Sequence, residues 1–267
     1  MASIESVKVL LRRLKFNRHG FTGDYPSWEL VKKQCSGYDS DIILEKVKKA
    51  ILKVKKGEAA FERDSVLFDS IEYSWPLLSA LMWIAAVNKS KLHVLDFGGS
   101  LGSSYFQNKY FLDTLEKVTW DIVEQQNFVH SGQLNISDKK LRFFNTAGEA
   151  VRANGPADIL LFACTLPYLE NPYQVLGELI KTGVPYLMVD NTFFNYEKKD
   201  RICLQKVPPE IYEASYPCWF LNYDDVKQKV GEAYSIISEH KNDSIIYLDG
   251  HKIQYKGFLA KIKPVRE

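Results

Sequence analysis

The chain has 267 residues, a net charge of +2, and a composition that is 46% hydrophobic and 25% charged. That is the balance of an ordinary globular protein, long enough for one α/β domain with an extension and a full-sized core. It offers no global charge argument for a nucleic-acid or acidic partner. The cysteines (Cys35, Cys164, Cys203 and Cys218) and the scattered histidines show no metal-ligand spacing. The expectation is therefore no metal site and a reducing, cytoplasmic setting. No apolar stretch is long enough to cross a bilayer, and the charged N-terminus does not read as a signal peptide.

In chain order, Ile4, Val7, Leu11 and Leu14 fall on one helical face beside Lys8, Arg12, Arg13, Lys15 and Arg18. Such a basic amphipathic helix can pack on the rest of the chain or rest peripherally on the anionic surface of an inner membrane. Packing is the preferred reading. Residues 21–27 are turn-rich, and a short helix is expected from Trp28. Asp39, Ser40 and Asp41 offer an N-cap to a helix over Ile42–Lys56, which Gly57 stops. A buried helical run is expected over Ser65–Val87, so residues 1–88 read as an N-terminal helical extension. From Lys91 the pattern changes to short apolar runs separated by amphipathic stretches: Leu92–Phe97, Val118–Val123, Leu141–Phe144, Ile159–Ala163 and Tyr186–Val189. This alternation predicts a doubly wound α/β domain over residues 89–267 with a mostly parallel sheet covered on both faces. Tyr234–Ser238 and Gly257–Ile262 are the candidates to close the sheet. Residues 191–228 are too long for a plain connection and read as an insertion near the site, rich in proline and aromatics.

The segment Val94–Ser104 runs from a buried strand ending in Asp96 through a turn with Gly98, Gly99, Ser100 and Gly102 into a helix. Open parallel sheets bind ligands at this end of their strands. A dinucleotide fingerprint would need glycine at 100 and glycine or alanine at 103, where this chain has Ser100 and Ser103, and a P-loop would need a following Lys. The pattern is instead acid-x-Gly-x-Gly-x-Gly, with Ser100 in place of the middle glycine. An acid there suits a ligand with cationic groups and suits a pyrophosphate poorly. The second strand ends in Glu124, a carboxylate placed to accept both hydroxyls of a ribose. Gln125 follows it and joins the cofactor set.

These motifs resemble the class I, Rossmann-like, S-adenosylmethionine (SAM)-dependent methyltransferases. More narrowly, the chain is similar over nearly its full length to a little-characterised bacterial family of that kind, often linked to surface-polysaccharide gene clusters. That resemblance rests on Gly37-Tyr38-Asp39-Ser40, on Gly57-Glu58-Ala59 with Glu62-Arg63-Asp64-Ser65, and on Gln205–Tyr212 with Ala214-Ser215-Tyr216-Pro217. It implies a seven-stranded sheet with an antiparallel last strand. It also implies SAM as cofactor, S-adenosylhomocysteine (SAH) as product, and a small-molecule or glycan acceptor methylated on oxygen. The loop after the fourth strand, Ala163–Leu169, would face the transferable methyl, with Cys164 beside the cofactor and Tyr168 beside the acceptor.

Asp190, at the end of the fifth strand, is the candidate to act as a base or to orient an acceptor hydroxyl, against a plain turn role. Tyr212, Tyr216 and Trp219 are the candidates for an aromatic substrate wall, against a packed lid core. His130 and His251 read as surface and turn residues. Two other readings stay open: a nicotinamide-dependent oxidoreductase, and a non-catalytic module that binds SAM or SAH.

Overall fold

A computed structural model describes residues 20–35, 41–208, 211 and 214–264. The chain begins with β1 (Gly20–Tyr25), α1 (Trp28–Lys32), α2 (Asp41–Lys55), β2 (Phe61–Arg63), β3 (Val66–Phe68) and α3 (Trp75–Val87). Strands and helices then alternate: β4 (Lys91–Phe97), α4 (Ser103–Leu112), β5 (Lys117–Val123), α5 (Gln126–Asn135), β6 (Leu141–Phe144), α6 (Ala147–Asn154) and β7 (Ile159–Ala163). A single 3₁₀ turn at Leu166–Tyr168 leads to α7 (Pro172–Ile180) and β8 (Tyr186–Thr192). Next come β9 (Arg201–Lys206), β10 (Ser215–Phe220), α8 (Tyr223–Gly231), β11 (Tyr234–Leu248) and β12 (His251–Ile262).

Seven strands form one sheet in the order β11-β12-β8-β7-β4-β5-β6. The five strands β4 to β8 run parallel, and β12 is antiparallel to both β8 and β11. The order reverses between β4 and β7, so the carboxyl ends of those strands flank the crevice where such sheets bind ligands. The expected doubly wound sheet is therefore present, with its antiparallel last strand. Alternate side chains of each strand serve two cores. Val94, Trp120, Leu161 and Met188 pack under α2, α3, α4 and α5, while Leu95, Leu160, Phe162 and Val189 pack under α6, α7 and α8.

The first part of the chain departs from the expected helical extension. Residues 65–87 are not one helix. Asp64 and Ser65 have φ of 51° and 68°, the two-residue left-handed turn of a tight hairpin, and β2 pairs with β3. Phe61 and Phe68 stack across it at 5.8 Å, and the helix begins only at Trp75, with Pro76 in its first turn. Residues 20–25 are a strand, β1, paired with β9 in a small antiparallel sheet β1-β9-β10. The insertion read at 191–228 thus carries two of that sheet's three strands, β9 and β10, and α8 already starts at Tyr223. The basic helix at Ile4–Leu14 and the cap at Asp39–Ser40 lie outside the described residues. Among those described, no helix is long and apolar enough to cross a membrane.

Helix α5 lies so close to β6 that a Cβ on Gly132 would come within 2.5 Å of the buried Phe143 ring. Alanine is the better helix former by about 1 kcal/mol, yet overpacking costs roughly 1–3 kcal/mol. Gly132→Ala is expected to destabilise the fold by about 1–2 kcal/mol, read as a lower urea midpoint. A midpoint at or above that of the parent would show that helix propensity wins and the contact is slack.

Candidate active site

Strand β4 ends at Asp96, which has no exposure to solvent and accepts a hydrogen bond from Trp120 Nε1 of β5 at 3.0 Å. Its Oδ1 has no hydrogen-bond partner among the described residues. The glycines that follow are demanded by packing. A Cβ on Gly99 would lie 2.5 Å from Asp96 Oδ2, and one on Gly98 would collide with Thr165, whose hydroxyl donates to the Phe97 carbonyl at 2.8 Å. Gly102 caps α4 with φ of 100°. Ser100, where the family pattern has glycine, holds φ of 52°. It therefore keeps the left-handed backbone that glycine adopts more cheaply.

Glu124 follows β5 on the far side of this turn. Its carboxylate accepts from the Gln125 amide at 2.6 Å and from the Ser100 amide, tying the glycine turn to the neighbouring strand. Burial pushes Glu124 up to about 7 against the pull of those two amides. Asp96 is likewise pushed to about 7 by burial, opposed by the Trp120 bond and reinforced by the Glu124 charge. Gln125 is exposed at the start of α5. A third acid joins them from the β2–β3 hairpin. Glu62 is 1% exposed, accepts from the Ser103 hydroxyl on α4 and the Ser65 amide, and is pushed by burial to about 7.

The other end of the crevice is built around the end of β7. Cys164 has φ of 55°, and its amide donates to the Asp190 carbonyl of β8 at 3.0 Å. Burial pushes its thiol up, so it stays neutral. Tyr168 meets Tyr216 of β10 edge-on at 5.5 Å and Phe193 at 6.2 Å, and burial also holds its phenol neutral. The insertion, through Tyr216, lies over the carboxyl end of β7.

Asp190 is 2% exposed. Its Oδ1 lies 2.9 Å from His240 Nε2 and accepts from Asn242 Nδ2 at 3.1 Å, and Asn242 also reaches the Ser74 hydroxyl at 3.3 Å. His240 is on β11, two strands away. It reaches Asp190 because Gly257 of β12 stands opposite it without a side chain. A Cβ there would collide with the Val189 carbonyl and lie 2.8 Å from His240 Nε2.

No family model matches the chain, and no curated protein matches it by sequence. Among solved structures it is similar to the N-terminal domain of EvdMO1 in the presence of SAH and D-fucose, at 10% identity and a TM-score of 0.49, covering 84% of this chain and 98% of that one. It is similar to a SAM-dependent methyltransferase from Methanosarcina mazei, at 11% identity and a TM-score of 0.49, covering 70% of this chain and 97% of that one. A third is the N-methyltransferase NodS from Bradyrhizobium japonicum in complex with SAH, at 10% identity and a TM-score of 0.43, covering 71% of this chain and 87% of that one. At these identities and scores the likenesses decide nothing about activity, which has to be read from the site.

The structure brings together Asp96, Gly98, Gly99, Ser100, Gly102, Glu124 and Gln125 at one end, and Cys164, Tyr168, Asp190 and Tyr216 at the other. Trp219 is not among them. Successive residues of a strand face opposite ways, and Trp219 stacks on Trp28 at 6.1 Å on the face away from Tyr216. Tyr212 lies outside the described residues. His130 is exposed, and His251 stacks on Tyr196 at 4.2 Å. His240, Asn242, Gly257, Thr165 and Glu62 were not read from the sequence as site residues. Only Glu62 left a signal, within the segment shared with the resembling family. Among the described residues no cluster of His, Cys, Asp and Glu is placed to hold a metal.

Three carboxyls held near 7 in the folded chain, against about 4 in an unfolded one, fix the sign of a pH effect. Between those values the folded state binds more protons than the unfolded, so stability falls as pH rises from about 4 to 7 and then levels. The ligand-free chain should lose on the order of a few kcal/mol across that window, and Asp96→Asn or Glu124→Gln should flatten the fall. Urea unfolding at several pH values measures it. Stability that is flat or rising over the window would contradict the burial of these acids.

Proposed function

We propose that the chain is a SAM-dependent methyltransferase acting on a hydroxyl of a small-molecule or glycan acceptor. The observation that carries this reading is the pair of desolvated acids, Asp96 and Glu124, around the glycine turn at the strand-order reversal. A site of this charge repels a pyrophosphate, which weighs against the nicotinamide reading. It fits a zwitterionic, sulfonium-bearing nucleoside, since Asp96 Oδ1 is buried and unpartnered and Glu124 stands where ribose hydroxyls would donate to it. The amides of the Gly98–Gly102 turn, Glu124 and Gln125 would hold that cofactor, with Cys164 against its reactive end. When bound, SAM supplies a methyl already activated on sulfur.

The remaining work of this chain is alignment and proton transfer. His240 and Asn242 pin Asp190 Oδ1, which leaves Oδ2 to orient the acceptor hydroxyl and receive its proton. Tyr168 and Tyr216 supply an apolar wall that excludes water and positions the acceptor. A surface-polysaccharide acceptor belongs to the same reading and follows only from the family resemblance, while peripheral contact with an inner membrane follows from the basic amphipathic pattern of residues 4–18. Cytoplasmic placement rests on the free cysteines. A non-catalytic module would keep the first end of the crevice but would have no use for the Asp190–His240–Asn242 network.

Calorimetry with SAH, SAM and NAD tests the cofactor assignment. SAH is expected to bind and NAD not to. Glu124→Gln should weaken SAH about 10- to 100-fold, the roughly 1.5–3 kcal/mol of charge-assisted hydrogen bonds. Equal SAH affinity in that variant, or preferential binding of NAD, would refute the assignment.

A further inference from the structure

A tyrosine packed into a protein usually finds a partner for its hydroxyl. Tyr173, Tyr223 and Tyr234 do so, donating to Asp200, Glu239 and the Val184 carbonyl at 3.0, 2.8 and 2.7 Å. Tyr255 of β12 does not. Its ring packs on the same apolar cluster as Cys164 and Tyr168, yet its hydroxyl makes no hydrogen bond among the described residues. The Tyr105 oxygen is also unpaired, but that one is sealed in the core, whereas Tyr255 keeps part of its surface exposed.

Its neighbours fix the direction of the ring. Lys256 lies over the Phe194 and Tyr223 rings on one face of β12, at 5.6 and 3.6 Å, so Tyr255 points to the other face. There it meets Phe193 at 5.3 Å, and Phe193 meets Tyr168 at 6.2 Å. Asp190 is on this face too. Val189 packs with Phe194 and Phe258 in the core on the Lys256 side, and Asp190, next along β8, turns the opposite way to His240. Because β12 is antiparallel to β8 with Lys256 beside Thr192, Tyr255 stands beyond Asp190, toward the carboxyl end where the crevice opens. Burial pushes its phenol well above the usual range, so it keeps its proton and is available as a donor.

We propose that Tyr255 reads a second oxygen of the acceptor, and that the acceptor is a polyol carrying that oxygen on the carbon next to the one methylated. The inference rests on the methyltransferase reading above. A carboxylate only accepts, so Asp190 Oδ2 takes the hydroxyl to be methylated. A donor on that same oxygen would tie up the lone pair that attacks the methyl, so the phenol serves the neighbouring oxygen. A donor and an acceptor on one wall match the adjacent oxygens of a sugar, whereas a simple alcohol leaves the phenol unpaired.

The test follows labelled methyl transfer from SAM to cis-1,2-cyclohexanediol, its trans isomer and cyclohexanol, with the full chain. The parent is expected to prefer one diol over cyclohexanol by about 3- to 10-fold in kcat/KM, the worth of one neutral hydrogen bond. Tyr255→Phe should bring that ratio toward one, chiefly through a higher KM for the diol, with SAH affinity by calorimetry kept. If the parent takes cyclohexanol as well as either diol, the Tyr255 assignment fails while the methyltransferase reading stands. A ratio unchanged in Tyr255→Phe means that another group reads the second oxygen, which overturns it. Equal losses on all three probes, or loss of SAH binding in the variant, make the residue structural and overturn it too. If the parent binds SAH but methylates none of the probes, the polyol assignment is refuted and the cofactor assignment stands. If it binds neither SAH nor SAM, the methyltransferase reading falls and takes this one with it.

Discussion

The packing of Asp96 beneath Gly99 is the constraint on which the rest of the crevice depends. A carboxyl with no exposure is costly unless it is neutralised or bonded, and among the described residues this one has a single side-chain donor, the Trp120 indole on the next strand. Its oxygen fills the space where a side chain at 99 would stand. Thr165 does the same for Gly98 from the loop after β7. The tip of β4 is thereby locked to β5 on one side and to β7 on the other. Glu124 adds a third tie by accepting the Ser100 amide. A side chain at 98 or 99 would disturb all three strand ends together.

A second close approach organises the other half of the sheet. Three antiparallel strand edges meet where Gly257 lies beside the Val189 carbonyl, at the irregularity between Lys256 and Phe258 in the β12–β8 ladder. The missing side chain opens a lane across β12 through which His240 reaches Asp190. The dyad therefore depends on a residue with no chemistry of its own. It also explains why β11, an edge strand, contributes to the crevice: its backbone is two strands from Asp190, but its imidazole is not.

The legible parts of the sequence were those governed by local period. The five parallel strands were read close to their true bounds because continuous apolar runs flanked by charges can only be buried sheet here. Glu124 and Asp190 were legible as acids at strand ends. The β2–β3 hairpin was not, because strands of three residues leave no alternation to detect, and the apolar residues on either side of Ser65 mimic a helix. Its turn is made by Asp64 and Ser65 rather than by glycine, so the usual turn signal was missing too. β1 was read as turns because its partner is some 180 residues away. His240 could not be assigned for the same reason: it is separated by 50 residues from Asp190, and only the register of three strands joins them. Trp219 failed as a wall residue through strand parity, since the two-residue period that puts Tyr216 inward puts its neighbour at 219 outward.

Segments remote in sequence pack beside the strand ends: β10 through Tyr216 on Tyr168, and the β2–β3 hairpin through Glu62 on Ser103. The strand ends also show a pattern of charge. Acids stand at or just beyond the ends of β4, β5 and β8, as Asp96, Glu124 and Asp190, while β7 between them ends in Ala163 and a neutral Cys164. Under the methyltransferase reading that gap has a physical rationale. Positive charge on sulfur disappears as the methyl leaves, so a carboxylate against it would stabilise the ground state more than the transition state and slow transfer. Placing the acids to either side lets one set grip the ends of the cofactor and the other manage the acceptor's proton, while the reacting centre sits over groups that carry no charge.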